Sequence, residues 1–458
     1  MRILESIENR MNISRRDFMS SVSAACCSIL VKGCANNAKP TRPPSVILIL
    51  SDDQGYADIG VQGPKDVLTP NMDSIAQAGV RFTDGYVSSP VCSPSRAGIM
   101  TGRYQQRFGH WFNGYPPSEN GVHLGLPLSE TTLAQLLKTA GYHTGLIGKW
   151  HLGADPGYLP QDRGFDEFFG FLRSLHSYTN WEGGIDGPIY RGREPEHEKE
   201  YLTEAFTREA VDFIGRNAET PFFLYLCYNA VHTPLEVPDK YLQRHPDIAD
   251  PERRKYLAML SAMDDGIGAV LDKLKECRIA DDTLVVFLSD NGAVGQTVSN
   301  YPFRGAKKTI REGGLRVPFL MQWPKHIQAG QVYREPVIAL DLFPTIAAAA
   351  GAVLPKDRSY DGVCLLPYLN GEIKNPPHDM LFWKWLEGEA ARSGKWKLFK
   401  SKEGILSLYD IKNDAGETAD LSGANVGIVK HLDTALSAWV SQLAPPLWTQ
   451  GKSYPVSK

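Results

Sequence analysis

The amino-acid sequence predicts an α/β fold: a large domain built on a mostly parallel central sheet flanked by helices, and a smaller C-terminal α+β subdomain with antiparallel strands. Short apolar runs of β-branched and aliphatic residues show no alternation, which is typical of strands buried on both faces. Helical patterns separate these runs, as in chains whose parallel strands are joined by helices. After about residue 365 the sequence alternates between apolar and polar residues, which favours antiparallel strands.

Length and charge narrow the class of protein. The chain has 458 residues, 42% hydrophobic residues and a formal net charge of -3. Its core is therefore ample, and it carries no basic footprint for nucleic acid or an anionic membrane. We expect no nucleic-acid partner. Changes in composition divide the chain into an export signal and linker (1–40), a main domain (41–365) and the C-terminal subdomain (366–458).

The N-terminal segment is typical of an export signal. Arg15 and Arg16 precede an apolar run at 19–31 that is too short to span a bilayer. The arginine pair resembles the twin-arginine signal, so we expect an exported, periplasmic protein with no transmembrane span in its mature chain. A disordered tail is one alternative. Lipid anchoring through Cys34 is another, although Lys32 departs from that pattern.

Four of the apolar runs end in a polar cluster. In chain order they are "SVILILSDDQG" (45–55), "TGLIGKWHLG" (144–153), "PFFLYLCYNAVHTP" (221–234) and "TLVVFLSDNG" (283–292). Ligands of parallel α/β sheets bind beyond the carboxyl ends of the strands. We therefore predict four strands whose polar ends meet at one rim of the sheet.

Helical patterns occur between and after these strands. We predict helices in "TPNMDSIAQAGV" (69–80), "SRAGIMTGRY" (95–104), "SETTLAQLLKTAGY" (129–142), "YLAMLSAMDDGIGAVLDKLKE" (256–276) and "VGIVKHLDTALSAWVSQLA" (426–444). Pro70 suits a first turn, and Gly79 and Gly141 suit helix ends. Ser129 is the expected N-terminal cap of the third helix.

Three carboxylates and one amide stand at two of the predicted strand ends: Asp52, Asp53, Asp290 and Asn291. Clustered anions repel one another and need a counter-cation. Oxygen-only ligands favour a hard ion, Ca²⁺ or Mg²⁺. Adjacent aspartates also cap helices and turns, but two such pairs at strand ends favour a metal.

Cationic candidates stand at or near the same ends: Arg96, Lys149, His151, His232 and Lys307. A histidine taken singly is more often a packed or surface residue. Grouped near a metal, these side chains suit an anionic substrate whose charge is neutralised on several sides. Spacing alone does not choose between Lys307 and its neighbour Lys308.

The stretch "VCSPSRAGIMTGRY" (91–104) holds a single cysteine before a predicted helix. Pro94 suits the first turn, so Cys92 is expected just before the helix N-terminus, where the dipole lowers the pKa of a thiol. From this chemistry alone, Cys92 is either a thiolate nucleophile or a target for oxidation.

The same stretch, from Cys92 to Arg96 and followed by Thr101, Gly102 and Arg103, resembles the signature of the type I sulfatases of the alkaline phosphatase superfamily. The family's other motifs stand in its order: "DDQG", the cysteine stretch, "GKWHLG", "NAVHTP", "SDNG" and "FRGAKKTIREGGLRVP". The resemblance extends to "LDLFPTIAAAAG" and "SLYDIKNDAGETADLSG", and so covers nearly the whole mature chain. It implies an alkaline phosphatase-like fold with 41–365 as the catalytic domain.

The resemblance implies a sulfuric ester hydrolase with a modified cysteine. In that family a maturase converts the cysteine, here Cys92, to Cα-formylglycine (3-oxoalanine), whose hydrate is the nucleophile. Other residues match the family's cation ligands, usually for calcium: Asp52, Asp53, Asp290 and Asn291. Arg96 matches the residue that holds the hydrate, and Lys149 and Lys307 match those that bind the sulfate oxygens. His151 matches the base and His232 the acid. Lys308 replaces a glycine common in the family, and it either touches substrate or faces solvent.

An exported enzyme of this family most often acts on sulfated sugars, so we expect a sulfated mono- or oligosaccharide from a glycosaminoglycan or a marine polysaccharide. Three loops supply candidate binding residues, with ordinary packing as the alternative for each. They are Arg173, His176, Tyr178 and Asn180, then His110 and Trp111, and finally Trp383 and Lys384. Two other functions stay open: a phosphonate or phosphodiester hydrolase on the same scaffold, and a non-catalytic sulfoglycan-binding protein if Cys92 is unmodified.

Overall fold

The computed structural model describes residues 42–114, 124–180, 187–295 and 300–448. The predicted export signal, with Arg15, Arg16 and Cys34, lies outside the described residues. From Pro43 onward the chain forms one compact unit. Within the described ranges, no helix has the length and apolar character needed to cross a membrane.

The described residues form strands in three sheets. The strands are β1 Ser45–Ser51, β2 Val80–Phe82, β3 Gly85–Tyr86, β4 His143–Lys149, β5 Glu167–Phe171, β6 Ile189–Arg191, β7 Glu194–Glu196, β8 Phe222–Cys227, β9 Thr283–Ser289, β10 Phe319–Gln322, β11 Gln331–Tyr333, β12 Val337–Ile338, β13 Leu381–Trp385, β14 Gly388–Ser393, β15 Trp396–Ser401 and β16 Leu406–Asp410. The central sheet has the order β11-β2-β10-β9-β1-β8-β4-β5-β6-β7, β12 pairs with β3, and β13 to β16 form a separate four-stranded sheet.

The middle of the central sheet is parallel. Strands β9, β1, β8, β4 and β5 pair in parallel in that order, which confirms the predicted mostly parallel sheet and its four predicted strands. Antiparallel pairings flank this block, through β10 on one side and β6 and β7 on the other. Every residue of β1, β8 and β9 is buried, as expected from their unbroken apolar runs.

Helices cover both faces of this sheet. Their bounds are α1 Pro70–Ala78, α2 Cys92–Thr101, α3 Leu133–Thr139, α4 Leu202–Asn217, α5 Asp239–Leu242, α6 Pro251–Glu276, α7 Glu312–Leu315, α8 Leu342–Ala350, α9 Leu366–Leu369 and α10 Val426–Val440. Because side chains alternate along a strand, Val46, Leu48 and Leu50 of β1 share a core with α2, α3 and α8. Ile47 and Ile49 share the opposite core with α1, α4 and α6.

Helix α3 begins later than the sequence predicted. Its N-cap is Thr132 and not Ser129: the Thr132 hydroxyl accepts a hydrogen bond from the Gln135 amide at 3.1 Å, and the Gln135 side chain accepts one from the Thr132 amide at 2.9 Å. This reciprocal pair satisfies two backbone donors that a helix start leaves open, which explains the later start.

The predicted antiparallel C-terminal strands are confirmed. Strands β13 to β16 pair antiparallel in chain order, and α10 packs on them through Leu432, Leu436 and Trp439. A buried ion-pair cluster joins this sheet to α7, because Nζ of Lys397 on β15 lies 2.8 Å from Glu312 and 3.2 Å from Glu417.

Candidate active site

The predicted polar clusters meet at one rim of the central sheet. Strands β1 and β9 pair in parallel with Ser51 opposite Ser289. The residues that follow these two strand ends therefore lie side by side: Asp52, Asp53, Asp290 and Asn291. The neighbouring strand β8 leads into the segment that carries His232, and Lys149 is the last residue of β4.

Hydrogen bonds tie the acidic residues into a buried cluster. The Asp53 amide donates to Oδ1 of Asp290 at 3.3 Å, and Nδ2 of Asn291 donates to Oδ1 of Asp53 at 2.7 Å. Burial, followed by the nearby Asp52 carboxylate, raises the pKa of Asp290 to about 6. Burial also opposes the charge on Asp52, but the surrounding cations hold its pKa well below the usual range. The cluster is thus crowded with negative charge.

Cys92 is the first residue of α2 and faces these carboxylates. Its Sγ lies 3.6 Å from Oδ1 of Asp52 and 4.0 Å from Oδ1 of Asp53. The expectation that the helix N-terminus lowers the pKa of this thiol is wrong, because burial raises it to about 12 in spite of Lys149 and Lys307. A protonated thiol is a poor nucleophile and a poor metal ligand, so the unmodified side chain does not supply a thiolate here.

The donor set of the acidic cluster fits a hard divalent cation. Oδ1 of Asn291 is buried and has no hydrogen-bond partner among the described residues, and an amide oxygen in that state is a suitable cation ligand. One donor atom each from Asp52, Asp53, Cys92 and His232 also lies within 4.8 Å of the others. We favour the all-oxygen set, with Asp290 and Asn291, because the buried Oδ1 of Asn291 has no partner among the described residues and hard cations prefer oxygen ligands.

Two lysines neutralise the aspartates that follow β1. Nζ of Lys149 lies 2.5 Å from Oδ2 of Asp52, and Nζ of Lys307 lies 2.6 Å from Oδ1 of Asp53. Burial would lower the pKa of both lysines, but these carboxylates raise it. Lys308 is exposed, with a φ of 73° that favours glycine. The contact with Asp53 therefore distinguishes Lys307 from its neighbour.

Arg96 joins the acidic cluster to the end of β4. Its buried guanidinium donates from Nε to Oδ2 of Asp290 at 2.9 Å and from Nη1 to the Lys149 carbonyl at 3.0 Å, and its Nη2 lies 3.6 Å from Asp52. Burial opposes the charge, but the two aspartates raise the pKa of Arg96 well above its usual value. Arg96 is therefore a permanent cation in the site.

His151 is a buried, neutral imidazole. Neither ring nitrogen has a hydrogen-bond partner among the described residues, and the residue holds a left-handed φ of 57°. Burial, together with the positive charges of Lys149 and Arg96, lowers the pKa of His151 well below the ordinary value. Its ring is therefore available to accept a proton.

His232 has one ring nitrogen anchored and the other directed at the acidic cluster. Nδ1 lies 2.7 Å from the Thr233 carbonyl, and Nε2 lies 3.5 Å from Oδ2 of Asp53. Burial lowers the pKa of His232, which makes its protonated form a stronger acid than free histidine.

Two predicted sugar-contact aromatics are buried instead. Trp383 is wholly inaccessible, its Nε1 donates to the Val87 carbonyl at 2.8 Å, and its ring packs on Tyr86. The Tyr178 hydroxyl lies 2.8 Å from the His232 carbonyl, inside the core. Neither ring offers a face to a sugar, so the prediction of Trp383 as a substrate-binding residue is wrong, and Tyr178 supports the His232 segment.

The remaining loop candidates differ in exposure. His176 is buried against Phe171, Arg173 is half-buried and Asn180 is exposed. Nζ of Lys384 lies 5.6 Å from the ring centre of Trp111, so these two contact each other. Arg173 and Asn180 stay predictions of substrate contact.

Sequence reasoning missed how the turn at Cys92 is supported. The Ser93 hydroxyl donates to the His151 carbonyl at 2.7 Å and lies 2.8 Å from Nε2 of His110. His110, predicted as a substrate contact, is buried, and burial lowers its pKa to about 3. The contact joins three distant segments, so no local pattern signals it.

A cavity of about 290 Å³ adjoins the acidic cluster. Its lining runs from Asp53 through Thr233 and Leu235 to Glu252 and Lys255 of α6. Charged residues on an amphipathic helix usually face solvent, so the sequence held no signal that this turn of α6 borders the site.

Cations and carboxylates around a buried cysteine at the rim of a mostly parallel sheet suit a site for an anionic ester. Residues 44–352 match the family Sulfatase, and residues 305–442 match the family described as N-sulphoglucosamine sulphohydrolase, C-terminal. The chain belongs to the sulfatase family.

Individual sulfatases are similar over most of the chain. N-acetylgalactosamine-6-sulfatase of Homo sapiens is 38% identical over 385 residues, which cover 75% of this chain and 72% of that protein. Arylsulfatase A of Homo sapiens is 33% identical over 450 residues, 86% of each. The crystal structure of Ps i-CgsB in complex with k-i-k-neocarrahexaose is 36% identical, with a TM-score of 0.85 over 90% of this chain and 96% of that chain. The predicted family, fold and sulfatase activity are confirmed.

Proposed function

We propose that this sulfatase removes sulfate from a sulfated carbohydrate, with Cys92 converted to formylglycine and a divalent cation, Ca²⁺ rather than Mg²⁺, held by Asp52, Asp53, Asp290 and Asn291. The position of Cys92 carries the proposal. Its Sγ lies 3.6 Å from the Asp52 carboxylate among buried cations, yet its thiol pKa is about 12. The position thus suits a nucleophile, and the unmodified thiol does not provide one.

Cations of the chain bind and orient the sulfate group. Lys149 and Lys307, held in place by Asp52 and Asp53, donate to sulfate oxygens, and Arg96 fixes residue 92 and adds positive charge. A cation held by Asp52, Asp53, Asp290 and Asn291 would supply further positive charge to the sulfate group. A hydrated formylglycine at position 92 would supply one hydroxyl whose oxygen bonds to sulfur as the bond from sulfur to the alcohol oxygen breaks. Deprotonation of its second hydroxyl would then break the C–O bond to sulfate and restore the aldehyde.

Two histidines carry the protons. His151, neutral and without a hydrogen-bond partner among the described residues, accepts the proton of the hydrate. His232, with Nδ1 anchored to the Thr233 carbonyl, donates from Nε2 to the departing alcohol oxygen. Of the two histidines, we assign the acid role to His232 because a backbone carbonyl anchors its Nδ1 and so fixes the direction of its Nε2.

The relatives support a saccharide as the alcohol part of the substrate. One is named for N-acetylgalactosamine 6-sulfate, and the structure of Ps i-CgsB holds a neocarrahexaose. We propose contacts to such a saccharide from the loop of Arg173, His176 and Asn180, of which Arg173 and Asn180 are accessible.

The rate at which the enzyme hydrolyses sulfate, phosphonate and phosphate esters tests the function. We expect the enzyme to hydrolyse N-acetylgalactosamine 6-sulfate or neocarrahexaose far faster than a phosphonate monoester or a phosphodiester, and Cys92→Ala to abolish this. Cys277→Ala, at the far end of α6, is the matched control and keeps full activity. Faster phosphonate or phosphodiester cleavage would favour the phosphonate or phosphodiester hydrolase. Saccharide binding without turnover would favour a sulfoglycan-binding protein.

Maturation and export complete the proposal. We propose that a formylglycine-generating maturase modifies Cys92 and that the twin-arginine-like segment directs the folded protein to the periplasm. Replacing Arg15 and Arg16 by lysine is expected to leave the protein in the cytoplasmic fraction. Unchanged periplasmic recovery would contradict this, and labelling by a lipid precursor at Cys34 would show lipid anchoring instead.

A further inference from the structure

The cavity beside the acidic cluster has walls of two kinds. Leu235 and Val294 give it apolar surface, and buried Tyr256 closes part of it. Glu252 and Lys255, both exposed, stand on its α6 side. Apolar surface with a few polar groups at fixed positions is typical of a site for a ligand with apolar faces and polar edges, as a pyranose has.

Two of the four charged residues on this turn of α6 bind other parts of the protein, and the other two line the cavity. Arg253 pairs with Asp58 at 2.8 Å, and Arg254 donates to the Leu242 carbonyl at 3.0 Å. Glu252 and Lys255 have the i, i+3 spacing at which such residues pair. Even so, neither has an ion-pair partner among the residues that the structure describes. Both are therefore available to a ligand in the cavity.

The position of the cavity indicates which part of a substrate it takes. Asp53 and Thr233 both line it, and each has an oxygen within 3.5 Å of a ring nitrogen of His232. His232 is the group that donates to the departing oxygen. The alcohol part of the substrate therefore emerges on this side of the site.

We infer that this cavity is the subsite of the departing sugar and that Lys255 selects substrates with a second anionic substituent, a carboxylate or a further sulfate. The inference rests on the proposed function. Glu252, one turn before Lys255, accepts hydrogen bonds from sugar hydroxyls. An ammonium without a protein partner gains a charged hydrogen bond from such an anion, whereas a neutral sugar leaves it in solvent.

Calorimetric titration of the full chain carrying Cys92→Ala, which is expected to bind these esters without hydrolysing them, tests this inference with three probes. The probes share one 6-sulfate: N-acetylgalactosamine 6-sulfate, its 4,6-disulfate, and the chondroitin 6-sulfate disaccharide, which adds a carboxylate. We expect at least one doubly anionic probe to bind roughly tenfold more tightly than the monosulfate. The probe that binds more tightly than the monosulfate identifies the anionic group that Lys255 recognises. Lys255→Ala abolishes the difference, and Lys255→Arg keeps most of it.

The control variant is Lys275→Ala, on the same helix but paired with Asp272. We expect it to leave all three affinities unchanged. Equal binding or no binding of the probes by the Cys92→Ala chain, or the same ratio after Lys255→Ala is added to it, overturns the inference. Sulfate release from the same probes is measured separately. If the wild type releases sulfate but Lys255→Ala keeps the affinity ratio of the probes, the subsite is contradicted and the proposed function is not. If Lys255→Ala loses the affinity ratio but the wild type releases no sulfate, the proposed function is contradicted and the subsite is not.

Discussion

Each buried charge of the site has an opposite charge within reach. Asp52 meets Lys149 at 2.5 Å, and Arg96 meets Asp290 at 2.9 Å. Buried ions are stable in a protein only when they are paired in this way. The pairing also fixes each cation before a substrate arrives, so little reorganisation is needed when a sulfate group binds.

The proposed role of His232 as the acid predicts that its loss affects esters differently according to their leaving group. A sugar alcohol is a poor leaving group that needs a proton, whereas 4-nitrophenolate does not. His232→Gln is therefore expected to reduce kcat about 10²–10⁴-fold on a sugar sulfate and far less on 4-nitrophenyl sulfate. Steady-state kinetics on both esters measure this, with exposed His326→Gln as the control. Equal losses on the two esters would show that His232 is not the acid.

Removing Arg96 is expected to destabilise the fold as well as the site. Arg96→Met leaves Asp290 and Asp52 buried without their guanidinium, which costs about 3–5 kcal/mol in the free energy of unfolding. Arg216→Met removes the exposed pair with Glu167 and costs about 0–1 kcal/mol. Urea denaturation in the same buffer compares them. A loss for Arg96→Met as small as that of the control would refute this account.

At the scale of elements, strand β15 is held to α7 by buried charge. Lys397 is inaccessible and touches both Glu312 and Glu417. Lys397→Met removes the nearest cation of two buried carboxylates and leaves them the more distant Arg316 and Arg311, at 3.5 and 3.6 Å, so we expect a loss of about 3–5 kcal/mol. Lys400→Met, on the same strand, removes only a partly exposed pair with Asp433 and costs below about 1 kcal/mol. Comparable unfolding midpoints for the two variants would contradict this.

The same cluster predicts a loss of stability in acid. Burial opposes the charge on Glu312, but Lys397, Arg316 and Arg392 lower its pKa from 4.5 to about 2. A carboxyl with a lower pKa in the folded state stabilises the fold above its unfolded pKa. That contribution is lost as the pH falls from 4.5 towards 2. Denaturant titrations across this range should show a shallower decline for Glu312→Gln, and parallel declines would contradict the assignment.

For the whole molecule, the proposed cation site would join the ends of β1 and β9 in the middle of the central sheet. An ion that binds only the folded state stabilises it by mass action. We expect chelation by EDTA to lower the Tm and added Ca²⁺ to restore it more fully than Mg²⁺. In Asn291→Ala the Tm responds less to both additions. A Tm that EDTA leaves unchanged would argue against a resident cation.

Local patterns predicted the parallel block and the site motifs, because unbroken apolar runs and the polar residues after them lie within single segments. The short antiparallel strands β6, β7 and β10 escaped prediction because partners outside their own sequence decide their pairing. Strand β13 shows the same limit. Its alternation predicted a strand, but no pattern within this segment indicates that the face with Leu381, Trp383 and Trp385 is buried. The cavity at α6 likewise exists only in the assembled fold.

The conversion of Cys92 to formylglycine is tested by peptide mass spectrometry of the protein from its native host, aimed at the peptide that contains this residue. We expect a lower mass than that of the cysteine peptide and a carbonyl that hydrazide reagents trap, with Cys277 unmodified in the same digest. An intact Cys92 thiol would contradict the proposed function, because the buried, protonated side chain then offers no nucleophile.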